Sequence, residues 1–458
     1  MKHKCIIFLF SLGFCSHSFS QTIAGGSNHT LLLCNENIVQ AWGFNYHGQL
    51  GDGTNSDNYL PVPLSSPTGV IGIEGGSMHS LALKNDGTVW SFGGNNSGQL
   101  GIGNTISSNV PVQVNLLTNI TSISAGWEHS LALKNDSTVW TWGFNEYGQL
   151  GNGDTVNSSL PLQVFGLTTI TTIAGGRHHS LAISDDGTIW TWGWNAYGQL
   201  GNGTNNDNYN PFQIPGLIGI TAVAGGDGHS IALKNDGTVW AWGFNGYGQL
   251  GNGTYTPSTI PIPVSGLSGI VAIAAGRLHS MALKNDGTVW AWGSNSYGQI
   301  GDSTSSFSTN VPQQVVQLSN INSIAAGGEH SIALMNNGSV WIWGLNGNGQ
   351  LGNGSNIGSN FPIEINGSCT GKPVGNEIFE TIKISIYPNP AEDYLSISSE
   401  NLIKINNISI YSIDGRKVTN SIDYKLNEML DLRALNPGTY LLLIETDESS
   451  IIRKIIKN

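Results

Sequence analysis

The chain has 458 residues, of which only 10% are charged, and its formal net charge is −12. Residues 21–376 hold eighteen acidic and seven basic residues without a basic run, which argues against nucleic acid and anionic membranes as partners. The 62 glycines and the low charge favour a β-rich fold with many tight turns. Residues 377–458 hold nine basic and twelve acidic residues, and this higher charge density indicates a second domain.

The first twenty residues are predicted to be a signal peptide. Two lysines precede a short apolar stretch, 5–15, and small residues at positions 18 and 20 favour cleavage before Gln21. That stretch is too short to span a membrane stably, and no later segment is predicted to be an integral membrane segment. A lipoprotein anchor at Cys15 is the alternative, which the bulky Phe14 before it disfavours.

Two cysteines remain once that peptide is removed, Cys34 and Cys369. Export places them in a potentially oxidising compartment, where disulfides persist. A disulfide between them would tie the start of the large domain to its end. The sequence leaves open whether they pair or remain two separate buried thiols.

A repeat of about 50 residues fills most of the chain. Four markers each recur seven times: a histidine, an aromatic-Gly pair, a Gly-Gln-Leu/Ile-Gly tail and a proline that begins a short apolar run. The histidines are spaced by 50 residues five times and then by 51, at His29, His79, His129, His179, His229, His279 and His330. Such a fixed period predicts a repeat architecture.

Each repeat contains four predicted strands, most clearly in residues 219–264. The segments "GITAVAGG" (219–226) and "HSIAL" (229–233) precede an Asp-Gly turn, for which we expect a two-residue type I′ hairpin. The strand "TVWAWG" (238–243) returns antiparallel, and "PIPV" (261–264) is the expected fourth strand. The predicted fold class is therefore all-β, with seven propeller blades that close a ring without exposed sheet edges.

The repeated unit A/G-G-x-x-H-S, G-T-V-W-x-W-G, N-x-Y-G-Q-L-G resembles the regulator-of-chromosome-condensation (RCC1-like) repeat. The resemblance implies a seven-bladed β-propeller over residues 21–367. Unit one departs most from the pattern, because "CNENIVQAWG" lacks the Asp-Gly turn. We therefore expect the ring to close there by mixed strands.

Residues 368–383 form a predicted Gly/Pro/Asn linker, and residues 384–458 are predicted to form a small β-sandwich. The patterns Y-P-N-P, I-Y-x-x-D-G-R and L-x-P-G-x-Y there resemble the C-terminal sorting domain (type A) of type IX secretion substrates. The resemblance implies that the type IX secretion machinery is a partner of this domain. It also implies a protein that is secreted or held on the outer cell surface.

The repeated residues are interpreted as structural. Seven histidines in separate blades are too far apart to bind one metal ion, so each is expected to bond to backbone or to a neighbouring blade. The paired tryptophans, such as Trp240 and Trp242, are predicted to pack between sheets. The loops 51–58 and 201–208 faintly resemble calcium loops, but their spacing does not match an EF-hand. The sequence thus predicts no metal, no cofactor and no catalytic residue, although it leaves a spatial pair of carboxylates open.

Two residues lie between each repeated glycine and its histidine, and they vary from unit to unit. The repeated residues around them, which we call the frame, do not vary in this way. They lie in a turn where a strand ends, so we expect them to face solvent on one rim of the ring. The predicted partner-binding residues are Trp127, Glu128, Arg177, His178, Asp227, Arg277, Leu278, Glu329 and, after a Trp-Gly pair, Trp194. Tryptophan and arginine are favoured at binding hot spots. Random drift at exposed turns is the alternative interpretation.

The sequence therefore predicts a secreted or cell-surface, non-enzymatic propeller that binds an extracellular protein through one rim face. The alternative is an extracellular carbohydrate-binding or adhesion protein. A polysaccharide-active enzyme or a guanine-nucleotide exchange factor is less favoured, since an exported protein does not meet a cytosolic GTPase. Clustered aromatic and arginine residues on the rim favour protein binding, whereas a cleft with two facing carboxylates favours hydrolysis.

Overall fold

The computed structural model describes residues 21–34, 37–304, 306–365, 384–387, 389–399, 405–412, 418, 429–446 and 450–458. The chain divides into two compact units, Met1–Val374 and Gly375–Asn458, which are described separately. Every regular element in the described ranges is a β-strand, and none of these ranges holds a helix suited to crossing a membrane. The predicted signal peptide, the predicted linker and Cys369 lie outside the described residues.

The first unit contains seven four-stranded antiparallel sheets, or blades, each built from four consecutive strands. Blade 1 holds β1 (Thr22–Gly25), β2 (His29–Leu33), β3 (Val39–Gly43) and β4 (Asn58–Pro63), and blade 2 holds β5 (Val70–Gly75), β6 (His79–Lys84), β7 (Val89–Gly93) and β8 (Ser108–Gln113). Blade 3 holds β9 (Ile120–Ala125), β10 (His129–Lys134), β11 (Val139–Gly143) and β12 (Ser158–Gln163), and blade 4 holds β13 (Ile170–Gly175), β14 (His179–Ser184), β15 (Ile189–Gly193) and β16 (Asn208–Gln213).

The remaining blades repeat the same order of strands. Blade 5 holds β17 (Ile220–Gly225), β18 (His229–Lys234), β19 (Val239–Gly243) and β20 (Ser258–Pro263), and blade 6 holds β21 (Ile270–Ala275), β22 (His279–Lys284), β23 (Val289–Ser294) and β24 (Ser308–Gln314). Blade 7 holds β25 (Ile321–Ala326), β26 (His330–Met335), β27 (Val340–Gly344) and β28 (Ser359–Glu364).

The blades form a closed ring, in which the first strand of each blade contacts the first strand of the next and β25 contacts β1. Blades 1 and 7 are each one uninterrupted segment, so the expected closure by mixed strands is wrong. Side-chain packing closes the ring instead, since Leu32 and Trp42 of blade 1 share one buried cluster with Ile332 and Ile342 of blade 7. The unit is a seven-bladed β-propeller.

The hairpin between the second and third strands differs from the expected two-residue turn. In blade 5, the Lys234 N–H donates to the Thr238 carbonyl at 2.9 Å, and the Gly237 N–H donates to the Lys234 carbonyl at 2.9 Å. Gly237 has a φ of +79°, whereas Asp236 has no positive φ. The connection is therefore a three-residue loop that ends in a left-handed glycine, and the Asp236 carboxylate accepts the Thr238 N–H at 3.0 Å.

The fourth strand begins before the proline at which it was predicted to start. In blade 5 it begins at Ser258 instead of Pro261, and Pro261 lies inside the strand. This strand is the outer edge of its sheet, where one row of N–H groups has no ladder partner. Proline is tolerated at such an edge because it removes a donor that the ladder does not use.

The second tryptophan of each Trp-x-Trp-Gly unit lies between blades. Trp242 is fully buried, packs against Ile214 and Val223, and donates from Nε1 to the Gln199 carbonyl of the preceding blade at 2.8 Å. Equivalent bonds join Trp42 to Gln350, Trp142 to Gln99, Trp192 to Gln149, Trp292 to Gln249 and Trp343 to Gln299. The first tryptophan, such as Trp240, is only half-buried. The predicted packing between sheets therefore holds fully for the second tryptophan and in part for the first.

Blade 2 carries Phe92 at this position, and the Gln49 carbonyl of blade 1 accepts the Ser80 hydroxyl there but no indole N–H. Phe92 is 1% exposed and lies against Gly51, as the tryptophans do against the equivalent glycines. We expect Phe92→Trp to raise the free energy of unfolding by about 1 kcal/mol through a new hydrogen bond to Gln49. Urea unfolding followed by circular dichroism measures the change, with Phe92→Leu as a control that lowers stability. A less stable Phe92→Trp variant would contradict the expectation.

The seven repeated histidines join each blade to the next. His229 Nε2 lies 3.0 Å from the Ser280 hydroxyl of blade 6, and that hydroxyl donates to the Gln249 carbonyl at 3.0 Å. Because the serine proton is used there, the histidine donates from Nε2. Burial lowers the pKa of His229 to about 3, so the ring is neutral. The ring of bonds closes where His330 meets Thr30 of blade 1 at 2.9 Å. The predicted bond to a neighbouring blade is confirmed.

Cys34 lies at the end of β2, where blades 1 and 7 meet. It is buried, it is disulfide-bonded, and it packs in the same cluster as Ile365. Ile365 is four residues before Cys369, which lies outside the described residues. The pairing of Cys34 with Cys369 therefore stays a prediction.

The described residues of the second unit form six strands in two sheets. They are β29 (Ile384–Tyr387), β30 (Tyr394–Ser399), β31 (Ile405–Ser412), β32 (Met429–Asp431), β33 (Gly438–Thr446) and β34 (Ser450–Lys457). One sheet has the order β29-β30-β32 and the other β31-β33-β34. Leu395 and Ile397 of the first sheet pack in one cluster with Ile410, Leu442 and Ile455 of the second. Two sheets around one apolar core form the small β-sandwich that the sequence predicts.

Candidate functional site

The seven turns between the first and second strands meet around the centre of the ring, and we call the face that carries them the turn face. Their backbones bond from blade to blade, for example from the Ser77 N–H to the Trp127 carbonyl at 2.9 Å. The series ends where the Gly328 N–H of blade 7 donates to the Gly26 carbonyl of blade 1 at 3.1 Å. A closed circle of backbone hydrogen bonds therefore holds the variable residues in fixed positions.

This circle surrounds the mouth of a central channel with a volume of about 330 Å³. Glycines let the first strands approach one another closely, since a Cβ on Gly75 would lie 2.6 Å from the Gly26 nitrogen. The first residue of each variable pair lines the channel: Ser27, Ser77, Trp127, Arg177, Asp227, Arg277 and Gly328. The predicted turn residues thus meet at one place, although their blades are far apart in sequence.

Five residues around the mouth form a connected row, which we call the charged arc: Trp127, Arg177, Asp227, Arg277 and Glu329. The Arg177 guanidinium lies 3.9 Å from the centroid of the Trp127 ring. Its Nη1 donates to both carboxylate oxygens of Asp227, at 3.0 and 3.1 Å. Arg277 then lies 3.6 Å from Asp227 and 3.8 Å from Glu329. The row spans blades 3 to 7.

The carboxylates of the charged arc are partly removed from water. Burial raises the pKa of Asp227, while the neighbouring Arg177 and Arg277 oppose that rise. Burial also raises the pKa of Glu329 to about 7, and Gln299 Nε2 donates to this carboxylate. The arginines compensate the cost of desolvating these charges.

The expectation that the turn residues face solvent is correct for Arg277, whose side chain is 46% exposed. Trp127, Arg177 and Asp227 are half-buried, and Glu329 is only 8% exposed. Stacking and ion pairing hold these four side chains against the face. The turn face is therefore more rigid than a row of free surface residues.

Aromatic rings continue beside the charged arc. His178 is parallel to Trp127, with ring centroids 6.2 Å apart and an interplanar angle of 9°. It also contacts Phe144, Tyr147 and Trp194, at centroid distances of 5.3, 5.2 and 5.9 Å. Burial, with Arg177 nearby, lowers the pKa of His178 to about 4, so the ring is neutral.

The row of rings extends from Trp194 to blade 6. Successive centroids are 5.3, 4.8, 6.3 and 6.0 Å apart through Tyr197, Phe244, Tyr247 and Phe307. We call the connected set the aromatic arc: Phe144, Tyr147, His178, Trp194, Tyr197, Phe244, Tyr247 and Phe307. Phe307 is 66% exposed and Tyr197 is 41% exposed, which leaves apolar surface open to a partner.

Two of the predicted partner-binding residues, Glu128 and Leu278, belong to neither arc. Glu128 is half-buried, its carbonyl accepts the Phe144 N–H at 2.9 Å, and burial raises the pKa of its carboxyl group. Leu278 is half-buried, and its carbonyl accepts the Ser294 N–H at 2.9 Å. Both residues position backbone at the face through these bonds.

The tyrosines of the aromatic arc, Gln299 and Phe307 were not among the residues predicted from the sequence. The tyrosines belong to the repeated N-x-Y-G-Q segment and were therefore assigned to the frame. The same position holds His47, Ser97 and Asn348 in other blades, so it varies as the turn residues do. A comparison of variable positions across all repeats would have found Tyr147, Tyr197 and Tyr247.

The loop 51–58, which faintly resembles a calcium loop, is bonded internally. The Asp52 carboxylate accepts from Asn45 Nδ2 at 3.2 Å, from the Thr54 N–H at 2.9 Å and from Asn58 Nδ2 at 2.9 Å. Within the described part of the chain, no three His, Cys, Asp or Glu side chains are grouped as metal ligands. The polar groups of this loop thus order the loop itself.

The fold and the turn face define a seven-bladed β-propeller whose blades share a frame and differ at the turns. Residues 15–231 and 156–381 match the model of the RCC1-like domain, and the chain belongs to this family. Residues 385–458 match the secretion system C-terminal sorting domain. This domain indicates export by type IX secretion to the cell surface or the extracellular space.

Solved structures share the propeller. Prp20p from Saccharomyces cerevisiae is 24% identical with a TM-score of 0.66, and the match covers 72% of this chain and 86% of that chain. Human WBSCR16 is 25% identical with a TM-score of 0.66, covering 72% and 93%. Yeast RCC1 (Prp20), solved with Kap60, is 22% identical with a TM-score of 0.67, covering 81% and 92%. These likenesses support the fold of the first unit.

Proposed function

We propose that the propeller is a non-enzymatic extracellular binding protein that takes a protein partner through the turn face. The observation that carries the proposal is the uneven distribution of charged side chains around the mouth, since aromatic side chains also contact one another on blade 1, at Phe44, Tyr46 and His47. The charged arc and the aromatic arc lie together on blades 3 to 7, whereas the mouth positions of blades 1 and 2 hold Ser27 and Ser77. Drift at unconstrained turns does not explain side chains that bond to one another from blade to blade.

The residue types and their order suit protein recognition. Tryptophan, tyrosine and arginine supply most of the energy at protein interfaces. Trp127 and Arg177 are already fixed by stacking and by the ion pair with Asp227, so little rotamer entropy remains to be lost on binding. Arg277 is the exposed member and has longer contacts, which leaves it available to a carboxylate of the partner.

The pairing of the carboxylates favours binding over glycoside hydrolysis. A glycosidase needs two carboxyl groups about 5 to 9.5 Å apart, one a proton donor and the other a nucleophile or base. Asp227 and Glu329 both lie against Arg277, and Glu329 also accepts from Gln299. Protein binding by this fold has a precedent in Prp20p, which binds Gsp1p and histones.

The test uses the full chain, immobilised on a biosensor and probed with purified extracellular proteins and with polysaccharides. The variant Trp127→Ala/Arg177→Ala/Arg277→Ala removes the centre of the charged arc. We expect it to weaken binding of the protein ligand by at least about 30-fold, which is the loss that a single hot-spot truncation of about 2 kcal/mol already produces.

The matched control is Ser27→Ala/Ser77→Ala, which changes the same ring of turns on blades 1 and 2. We expect this control to bind as the unchanged protein does, and thermal unfolding verifies that both variants fold. Equal binding by the arc variant would show that the turn face is not the binding site. Binding of polysaccharides alone would favour the carbohydrate-binding alternative, and their cleavage would overturn the non-enzymatic role.

A further inference from the structure

One carboxylate lines the central channel below the charged arc. Glu74 lies on β5, one residue before the glycine that ends the strand and three residues before Ser77 at the channel mouth. Three residues span at most about 10 Å of extended chain, so Glu74 lies within about 10 Å of the mouth. The equivalent positions of the other six blades hold Ala24, Ser124, Ala174, Ala224, Ala274 and Ala325. Glu74 is thus the one acidic residue among seven equivalent channel positions.

Glu74 has no compensating partner in the described ranges of the chain. Its carboxylate takes part in no hydrogen bond or ion pair there, whereas Asp227 and Glu329 at the mouth are both paired. The other charged residues that line the channel are Arg177, Asp227 and Arg277, all in the turns at the mouth. The side chain is half-buried, so solvent in the channel still reaches it.

The channel suits a small ligand with an apolar stem. Its volume of about 330 Å³ is at the lower end of the range for small-molecule pockets. Glycine, alanine, isoleucine and valine form most of its wall below the mouth. Glu74 is the charged residue among the described residues of that wall. Partial burial of a charge without a partner is costly, and an opposite charge on a ligand lowers that cost.

The geometry points to the channel as a binding site for a primary ammonium or guanidinium group on an unbranched stem, with Glu74 as its counter-ion. The stem lies along the apolar wall, and the cation forms a charge-assisted hydrogen bond with the carboxylate. The cation belongs either to a free amine or to a lysine or arginine side chain that a partner inserts through the mouth. This inference goes beyond the proposed function, because a free amine would bind whether or not the turn face binds a protein.

The first arm of the test titrates the full chain with n-butylammonium chloride at pH 9 and follows saturation-transfer NMR of the ligand. We expect binding that Glu74→Gln weakens at least tenfold. The isosteric change keeps the volume, removes the charge and replaces one acceptor oxygen with an amide N–H₂ donor. Glu364→Gln, at an exposed carboxylate on β28, is the matched control and is expected to leave binding unchanged. n-Butanol, which has the stem without the charge, is expected not to bind.

The second arm distinguishes the two sources of the cation. It replaces the free amine with an N-acetylated, C-amidated Gly-Gly-Lys-Gly-Gly peptide. Binding of this peptide that Glu74→Gln abolishes assigns the site to an inserted side chain, and binding of n-butylammonium alone assigns it to free amines. Absence of binding by both probes, equal binding by Glu74→Gln, or equal binding of n-butanol would overturn the inference.

A pH series provides a readout that a purely structural role of Glu74 would not change. Burial raises the pKa of Glu74 to about 8. The carboxylate is ionised at pH 9, whereas at pH 6 the cation must displace a proton, so binding is expected to be at least tenfold weaker at pH 6. On the strands that contact β5, the titratable groups are His79 and Lys84 of β6 and His29 of β2, and β1 and β9 carry none. Pairing across the sheet puts Val70, at the opposite end of β5 from the mouth, against Lys84.

The experiments distinguish failure of the amine-binding inference from failure of the proposed protein binding. Glu74→Gln leaves every residue of the charged arc in place, and the triple variant of the arc leaves Glu74 in place. Loss of protein binding in the triple variant together with unchanged amine binding in Glu74→Gln would reject the channel site alone. The reverse result would reject the turn face and retain the channel site.

Discussion

Acidification from pH 7 to pH 4 is expected to unfold the propeller in a steep transition that takes up about seven protons. The seven repeated histidines are fully buried, and each is bonded to a hydroxyl of the next blade. Burial lowers the pKa of six of them to about 3 or 4 and that of His129 well below its usual value.

The sign of the effect follows from the neutral folded state. Unfolded histidine has a pKa of about 6.5, so the unfolded chain binds more protons than the folded chain below that pH. The stability is fully present above pH 6.5 and is lost as the pH falls toward the folded pKa values of about 3 to 4. Seven such groups give a slope of up to about 9 kcal/mol per pH unit, which exceeds the total stability of an ordinary domain within two units.

The measurement combines urea unfolding at several pH values with circular dichroism, and the pH dependence of the unfolding free energy gives the proton uptake. His79→Gln is expected to lower that uptake by one. Ser130→Ala removes the partner of His79 but keeps the histidine, so it lowers stability at every pH and leaves the uptake unchanged. A transition that takes up fewer than three protons would show that the histidine ring does not control acid stability.

Trp242→Ala is expected to lower the free energy of unfolding by about 5 kcal/mol. Truncation of a fully buried large aromatic side chain leaves a cavity and typically costs 3 to 5 kcal/mol, and loss of the hydrogen bond to Gln199 adds about 1 kcal/mol. The loss falls on the contact between blades 4 and 5, where Trp242 packs against Ile214 and Val223.

Trp240→Ala is the matched control, because the same change is made two residues earlier on the same face of the same strand. Trp240 is half-buried, and its Nε1 has no hydrogen-bond partner among the described residues. We expect that variant to lose about 1 to 2 kcal/mol. Equal losses in the two variants, measured by urea unfolding at pH 7, would contradict the distinct roles of the paired tryptophans.

The repeat made most of the propeller predictable. Its period also predicts which residues of the site are neighbours, although the sequence-based prediction did not use it for that purpose. Residues 50 positions apart occupy the same place in adjacent blades, so the order Arg177, Asp227, Arg277 predicts alternating charges side by side. The aromatic arc depends equally on this period, since Trp127 and His178 are one unit and one residue apart.

Other parts of the site depend on contacts that the period does not define. Phe307 lies in an irregular loop and reaches Tyr247 of the neighbouring blade. Glu329 is buried, and its carboxylate accepts a hydrogen bond from Gln299 in the tail of blade 6. The type of the hairpin turn and the start of the fourth strand were also missed, because a left-handed glycine and an edge strand are set by the whole sheet. Such contacts follow from three-dimensional packing and are not visible in the spacing of residues.

Each blade is one uninterrupted stretch of about 50 residues, and this has a consequence for how such a protein evolves. Duplication of any such stretch of the coding sequence adds a complete sheet, with its own histidine donor and its own hydroxyl acceptor for the neighbours. No existing sheet is divided by the event. Selection can then change two turn residues in the new copy without touching the frame, so new binding surfaces arise on an architecture that is already stable.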